Sequence, residues 1–231
     1  MNPATTRAPA PTPPTPPPPG NEANHLQAAR RRNRIPFWAM ATLGLMPVWA
    51  FMYVRALTPS SEVAAGPLSA GAEVYNSCAN CHGAAGGGAN GYKLSGGEVL
   101  RTFPRIEDQI RYVYYGTENF RAAGVEIYGN PTRPGGPHIT GASGGAMPPF
   151  ATQLTQTQII SVVCHERYTL GQANPTSDEY AAEYEAWCSD DAPVYAAVDR
   201  GEYDFTSPVA EPIEGYELIP VGPEPVPGSA D

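Results

Sequence analysis

The longest apolar run in the chain covers Ile35 to Val54, twenty residues without a charge (IPFWAMATLGLMPVWAFMYV). At about 1.5 Å rise per residue, a helix of that length spans about 30 Å, the thickness of a bilayer's hydrocarbon core. Trp38, Trp49 and Tyr53 stand near its ends, as interfacial aromatics do. The pattern predicts a transmembrane anchor over 35–57, with a kink where Pro47 removes a backbone hydrogen bond. Further on, Ala72, Val74, Tyr75 and Cys78 carry helical spacing over 69–81. Ile159, Ile160, Val162, Val163 and Tyr168 do the same behind Thr155-Gln156-Thr157-Gln158, which offers an N-terminal cap. Thr176-Ser177-Asp178-Glu179 is a capping-box pattern, and Tyr180, Ala181, Tyr184 and Trp187 after it predict one helix to about Cys188.

Between and beyond these segments the pattern fails. Residues 3–19 are rich in Pro, Thr and Ala and cannot build a core, so 1–34 is expected to be a disordered tail. Residues 205–231 hold Pro208, Pro212, Pro220, Pro223, Pro225 and Pro227 and are also expected to be disordered. The resulting organisation is the tail 1–34, the anchor 35–57, a linker 58–67, a globular domain 68–171, an acidic helical extension 172–204 and the acidic Pro-rich tail 205–231. No internal repeat is visible.

Charge adds direction to this plan. Arg7, Arg30, Arg31, Arg32 and Arg34 precede the apolar run against Glu22 alone. Basic residues favour the cytoplasmic side, so the N-terminus stays cytoplasmic and everything after Arg55 is translocated to the outer, periplasmic face. A cleaved signal peptide is the competing reading. The apolar run exceeds a typical signal h-region, and only Val63-Ala64-Ala65 weakly suggests a cleavage site. Residues 171–231 hold fourteen Asp and Glu against the single Arg200. No basic patch with interleaved aromatics follows the anchor, which excludes a nucleic-acid partner.

The chemistry is concentrated in Cys78-Ala79-Asn80-Cys81-His82. C-x-x-C-H is the attachment signature of c-type haem, although C-x-x-C also serves zinc sites and thioredoxin-like redox pairs. In the haem reading both thiols form thioethers, and His82 becomes the proximal iron ligand. A Met thioether is a common sixth ligand. Met40, Met46 and Met52 lie in the apolar run, so Met147 is the one candidate on the translocated side. It stands in Gly144-Gly145-Ala146-Met147-Pro148-Pro149-Phe150, whose glycines allow close approach and whose prolines stiffen the loop. His138 is the alternative sixth ligand. Arg101, Arg105, Arg111, Tyr112, Tyr114 and Tyr115 are candidate donors to the haem propionates.

Gly71-x-x-x-Tyr75-x-x-Cys78-x-x-Cys81-His82-Gly83, Leu94-x-Gly96-Gly97, Met147-Pro148-x-Phe150 and Leu154-Thr155-x-x-Gln158-Ile159-x-x-Val162-Val163 together resemble the monohaem class I cytochrome c family. More narrowly, the chain is similar to membrane-anchored cytochromes c that accompany bacterial aerobic respiratory complexes. The resemblance covers about 68–171. It implies a small all-α fold around one covalent haem c, with terminal helices crossing near Gly71 and the 162–168 segment. It also implies redox partner proteins, namely a quinol oxidoreductase and a terminal oxidase, and an electron carrier rather than an enzyme. A tightly bound haem subunit of an oxidase or dehydrogenase complex is the alternative; a haem sensor or peroxidase with an open sixth site is a third reading. Two positions depart from the family. Tyr92 stands where a Pro carbonyl usually accepts the His ligand's N–H bond, and His165 stands where Tyr or Phe is usual, which would loosen the helix crossing. Cys164 and Cys188 remain once the haem has its pair. An even count in an oxidising compartment predicts a disulfide between them, worth about 3 kcal/mol for a loop of roughly 25 residues; two buried free thiols are the alternative.

Overall fold

The computed structural model describes residues 26–29, 36–57, 66–141, 145–213 and 215–230. The proline-rich run 3–19, the Arg30–Arg34 cluster, linker residues 58–65 and Gly144 lie outside the described residues. The chain divides into two units, Met1–Ser60 and Ser61–Asp231.

In the first unit, the apolar run folds as one helix, α1 (Phe37–Leu57), with Pro47 inside it. Its Phe37–Val54 stretch is long and apolar enough to cross a membrane. Phe37, Leu43, Met46 and Phe51 are exposed on it rather than packed in a core.

The second unit is helical. Helix α2 (Pro67–His82) starts with Pro at its first turn, where the missing N–H costs no helical bond. Helices α3 (Glu98–Thr102) and α4 (Ile106–Ala122) follow. A two-residue antiparallel hairpin pairs β1 (Ile127–Tyr128) with β2 (His138–Ile139), setting Tyr128 opposite His138. Helix α5 (Gln156–Cys164) carries the expected capping box: Gln158 N–H donates to Thr155 Oγ1, and Thr155 N–H donates back to Gln158 Oε1. It continues as a π-helical stretch, His165–Leu170. Helix α2 packs across α5 and this continuation. A Cβ on Gly71 would lie 1.9 Å from the Ser161 carbonyl oxygen, so only glycine lets the two helices meet this closely. His165 does not hold them apart; its ring rests against Tyr75 with centroids 5.4 Å apart.

The extension departs from one long helix. Asn174 Oδ1 accepts bonds from the Thr176 N–H and hydroxyl, a local turn that competes with helix initiation. Helix α6 therefore starts at Ala181, runs to Glu183 and passes into a π-helical turn, Tyr184–Cys188. Helix α7 (Pro193–Asp199) follows. Cys164 and Cys188 are joined by a disulfide with Cα atoms 5.5 Å apart, fastening the extension to α5.

The expectation of a disordered tail over 205–231 is corrected over its described part. Phe205, Ile213, Leu218 and Val221 are buried in the main core beside Ile110, Ile160 and Trp187. Complete burial of such side chains stabilises by about 1.5–3 kcal/mol each. The segment uses almost no backbone pairing, which suits its prolines. Its carbonyls are met from α4 instead: Arg111 donates to Pro220 and Val221, and Tyr115 to Gly222.

Candidate functional site

The last turn of α2 places Cys78, Cys81 and His82 on one wall of a cavity of about 340 Å3. That size lies within the range of small-molecule and cofactor sites, about 300–1,000 Å3. Met147, Pro148 and Phe150 form another part of the wall. Val99, Phe103, Tyr112, Val113 and Tyr128 make the remainder largely apolar. Residues 65 positions apart in the sequence thus meet at one site, and Met147 touches both hydrophobic clusters that flank it.

His82 Nδ1 lies 2.7 Å from the Tyr92 carbonyl oxygen. A carbonyl only accepts, so Nδ1 carries the proton and donates, leaving Nε2 with a free lone pair for iron. Tyr92 therefore supplies the carbonyl expected from a Pro at this position, and the substitution leaves this support intact. Its ring stacks on His138 with centroids 4.0 Å apart.

Met147 is held by a break in α4. Gly116 has φ 68° and ψ 168°, outside the helical region. A Cβ there would lie 2.6 Å from the Pro148 carbonyl carbon and 2.7 Å from the Met147 carbonyl oxygen. Glycine at 116 thus permits both the break and the approach of the Met147 loop. Thr117 then closes the contact from both directions. Its N–H donates to the Met147 carbonyl at 2.9 Å, and its Oγ1 accepts from Met147 N–H at 2.9 Å while sharing a bond with Tyr112 OH. Phe150 N–H and Ala151 N–H bond to the Val113 and Tyr114 carbonyls and fix the loop's exit. Gly116 and Thr117 were not among the predicted site residues; a glycine inside an otherwise helical stretch was the available signal.

His138 lines the same cavity, but its ring is sandwiched by Tyr92 and meets Tyr128, whose hydroxyl is 3.3 Å from His138 Nδ1. Burial pushes its pKa down to about 4, with Arg133 adding to the effect. The expected propionate donors fare differently. Tyr112 lines the cavity, whereas Arg101, Arg105, Arg111, Tyr114 and Tyr115 do not. Arg111 is buried and committed to Asp108 and the C-terminal carbonyls. Arg101 pairs with Glu98. Lys93, unremarked in the sequence, is the cavity's lysine.

The donor set can be tested against the three chemistries of C-x-x-C. No group of three or more His, Cys, Asp and Glu side chains is placed to hold a metal ion among the described residues, so a zinc site lacks its ligands. Burial pushes the Cys78 thiol up to about 12, the reverse of the depressed pKa of a reactive redox thiol. Two free thiols, an imidazole with its Nε2 available and a thioether around an apolar cavity fit a covalently attached haem.

No curated protein and no solved structure matches the chain. Residues 68–165 match the family model for cytochrome c. That match spans the C-x-x-C-H segment, the Met147 loop and the helix crossing at Gly71, so this part of the chain is a cytochrome c domain and its cofactor is covalently attached haem c.

Proposed function

We propose that the protein is a membrane-anchored electron carrier whose haem iron is ligated by His82 and Met147. The observation that carries this reading is the convergence of Cys78, Cys81, His82 and Met147 on one cavity. The haem supplies a one-electron ferric/ferrous couple. Cys78 and Cys81 would hold it through thioethers. The Tyr92 carbonyl orients His82 and raises the basicity of its Nε2. Thr117 and the Gly116 break fix the Met147 backbone, so its thioether would be available to the iron without a large rearrangement of the loop. The largely apolar walls would limit water at the iron, which suits electron transfer rather than substrate chemistry.

The helix Phe37–Leu57 anchors the chain in a membrane by a single pass, with the N-terminal arginines on the cytoplasmic side and the haem domain on the outer face. Confinement to the membrane raises the carrier's effective concentration beside membrane-bound redox proteins. A quinol-oxidising complex as donor and a terminal oxidase as acceptor are the partners that fit a carrier held at this surface. Migration of the detergent-solubilised protein on a native gel tests the free-carrier form: it runs alone. Quantitative comigration with an oxidase assigns it instead as a bound subunit of that complex.

A further inference from the structure

Glu166 is the one acidic side chain on the wall of the haem cavity among the described residues. Its side chain is buried, yet it makes no ion pair among the described residues. Gln109 Nε2 donates to its Oε2 at 2.8 Å. The neighbouring cation, Arg167, faces elsewhere. Its Nε and Nη2 donate to the two Glu183 carboxylate oxygens at 2.6 and 2.8 Å, and its remaining donors reach the Phe103 and Pro104 carbonyls and Gln109 Oε1. Gln109 is thus oriented from both ends, its carbonyl toward Arg167 and its amide N–H toward Glu166. The π-helical stretch His165–Leu170 buries Glu166 and Arg167 together, although they are adjacent in sequence. A π-helical segment at a site is often functional.

We propose that Glu166 takes up a proton when the haem is reduced and releases it when the haem is oxidised, so that electron transfer through this domain is coupled to proton transfer. The inference rests on the carrier reading proposed above. One electron from a one-electron donor converts ferric to ferrous iron, and one proton from water converts the Glu166 carboxylate to its acid. An acceptor that removes the electron returns the proton to water. Reduction removes one positive charge from the cavity, and a carboxylate in a low-dielectric site loses that much attraction. Its pKa is therefore higher beside ferrous than beside ferric iron. The carboxyl is already poised for such a change: burial pushes it up to about 7, with the Gln109 bond pulling the other way.

The other groups around Glu166 do not supply this behaviour. From α2, Tyr75 is raised by burial and Cys78 is consumed as a thioether. His82 has its Nδ1 proton fixed on Tyr92. From α4, Gln109 is neutral, Asp108 is paired with Arg111, and Glu107 bonds to Ile219 away from the cavity wall. On its own element, burial lowers the His165 pKa and raises that of Tyr168, while Arg167 is closed on Glu183 from the extension. His138 is held neutral above about 4, and Lys93 is exposed.

Equilibrium redox titration of the full-length holoprotein in detergent, followed in the visible bands from pH 5 to 9, tests the proposal. The wild-type midpoint potential falls as pH rises, by up to about 59 mV per pH unit, the one-electron equivalent of a tenfold change. Glu166→Gln keeps the Gln109 contact but cannot titrate, and its potential is flat over the same range. Glu107→Gln retains the wild-type slope. In a second measurement, the reduced-minus-oxidised infrared spectrum of wild-type protein carrying 13C-labelled Glu shows a protonated-carboxyl band shifted by the label, which separates Glu from the haem propionates. An unchanged slope in Glu166→Gln, a flat wild-type titration, or no label-sensitive carboxyl band overturns the proposal. If any of these occurs while the sulfur-to-iron absorption of ferric protein is intact, the His82/Met147 carrier reading stands and only the proton coupling fails.

Discussion

Replacing Glu107 by Gln should stabilise the protein at pH 8 and leave it unchanged near pH 4.5. Glu107 is completely buried, and its Oε2 has no hydrogen-bond partner among the described residues. Oε1 accepts from Ile219 N–H at 3.2 Å, and the residue's own backbone N–H favours the carboxylate in the same sense, but neither offsets burial. Neither nearby cation is available, because Arg111 is closed on Asp108 and Arg167 on Glu183. Burial consequently pushes the Glu107 carboxyl from its ordinary 4.5 up to about 7, with Glu183 and Asp108 adding repulsion. A carboxyl whose folded pKa is raised binds its proton more tightly in the native state. Its contribution is complete below about 4.5 and is lost as pH rises through about 7. At 1.36 kcal/mol per pKa unit the loss at pH 8 is about 3 kcal/mol. Gln has no charge to bury and does not incur this loss. Guanidinium unfolding of full-length wild type and Glu107→Gln in the same detergent, followed by far-ultraviolet circular dichroism at pH 4.5 and 8, measures it. A difference that is the same at both pH values, or a variant less stable at pH 8, refutes the reasoning.

Three further outcomes follow from contacts in the fold. Arg167→Met strands the buried Glu183 carboxylate and the Phe103 and Pro104 carbonyls, so it should destabilise by about 3–5 kcal/mol in the same unfolding assay. A cost below about 1 kcal/mol contradicts the pairing. Arg111→Met removes the grip on the Pro220 and Val221 carbonyls, and limited proteolysis should then cleave after residue 205 far faster than in wild type; equal rates would mean that Arg111 does not hold the segment. Thr117→Val deprives both Met147 N–H and Tyr112 OH of a partner, at about 1–3 kcal/mol. It should weaken the sulfur-to-iron absorption of ferric protein while leaving covalent haem attachment complete, and an unchanged band counts against Thr117 as the group that fixes the loop.

Most local signals were legible in the sequence, the Thr176 cap excepted, and most tertiary ones were not, the Cys164–Cys188 bridge excepted. C-x-x-C-H, the Thr155 cap and the apolar run are short-range patterns, and the structure shows the matching elements at those positions. The close crossing at Gly71 was also readable, because a small residue at helical register marks a place where backbones can touch. The Tyr92 carbonyl left no trace, since a backbone acceptor is independent of the side chain that happens to carry it. Residues 205–230 misled through composition. Proline content argues against helix and strand but not against an extended chain whose few apolar residues are buried and whose carbonyls are met by Arg111 and Tyr115. The same contact removes Arg111 from the candidate propionate donors. Glu166 and Arg167 drew no expectation from the sequence, and the π-helical stretch that buries both has no sequence signature.

The central claim is a haem held between His82 and Met147. Visible and near-infrared spectra of the ferric full-length protein, recorded for wild type and Met147→Leu, test it most directly. The account predicts a sulfur-to-iron absorption in wild type that disappears in Met147→Leu, with ferrous wild type refusing carbon monoxide and the ferrous variant binding it. A wild-type protein that lacks the band, or that binds carbon monoxide as readily as the variant, contradicts the account.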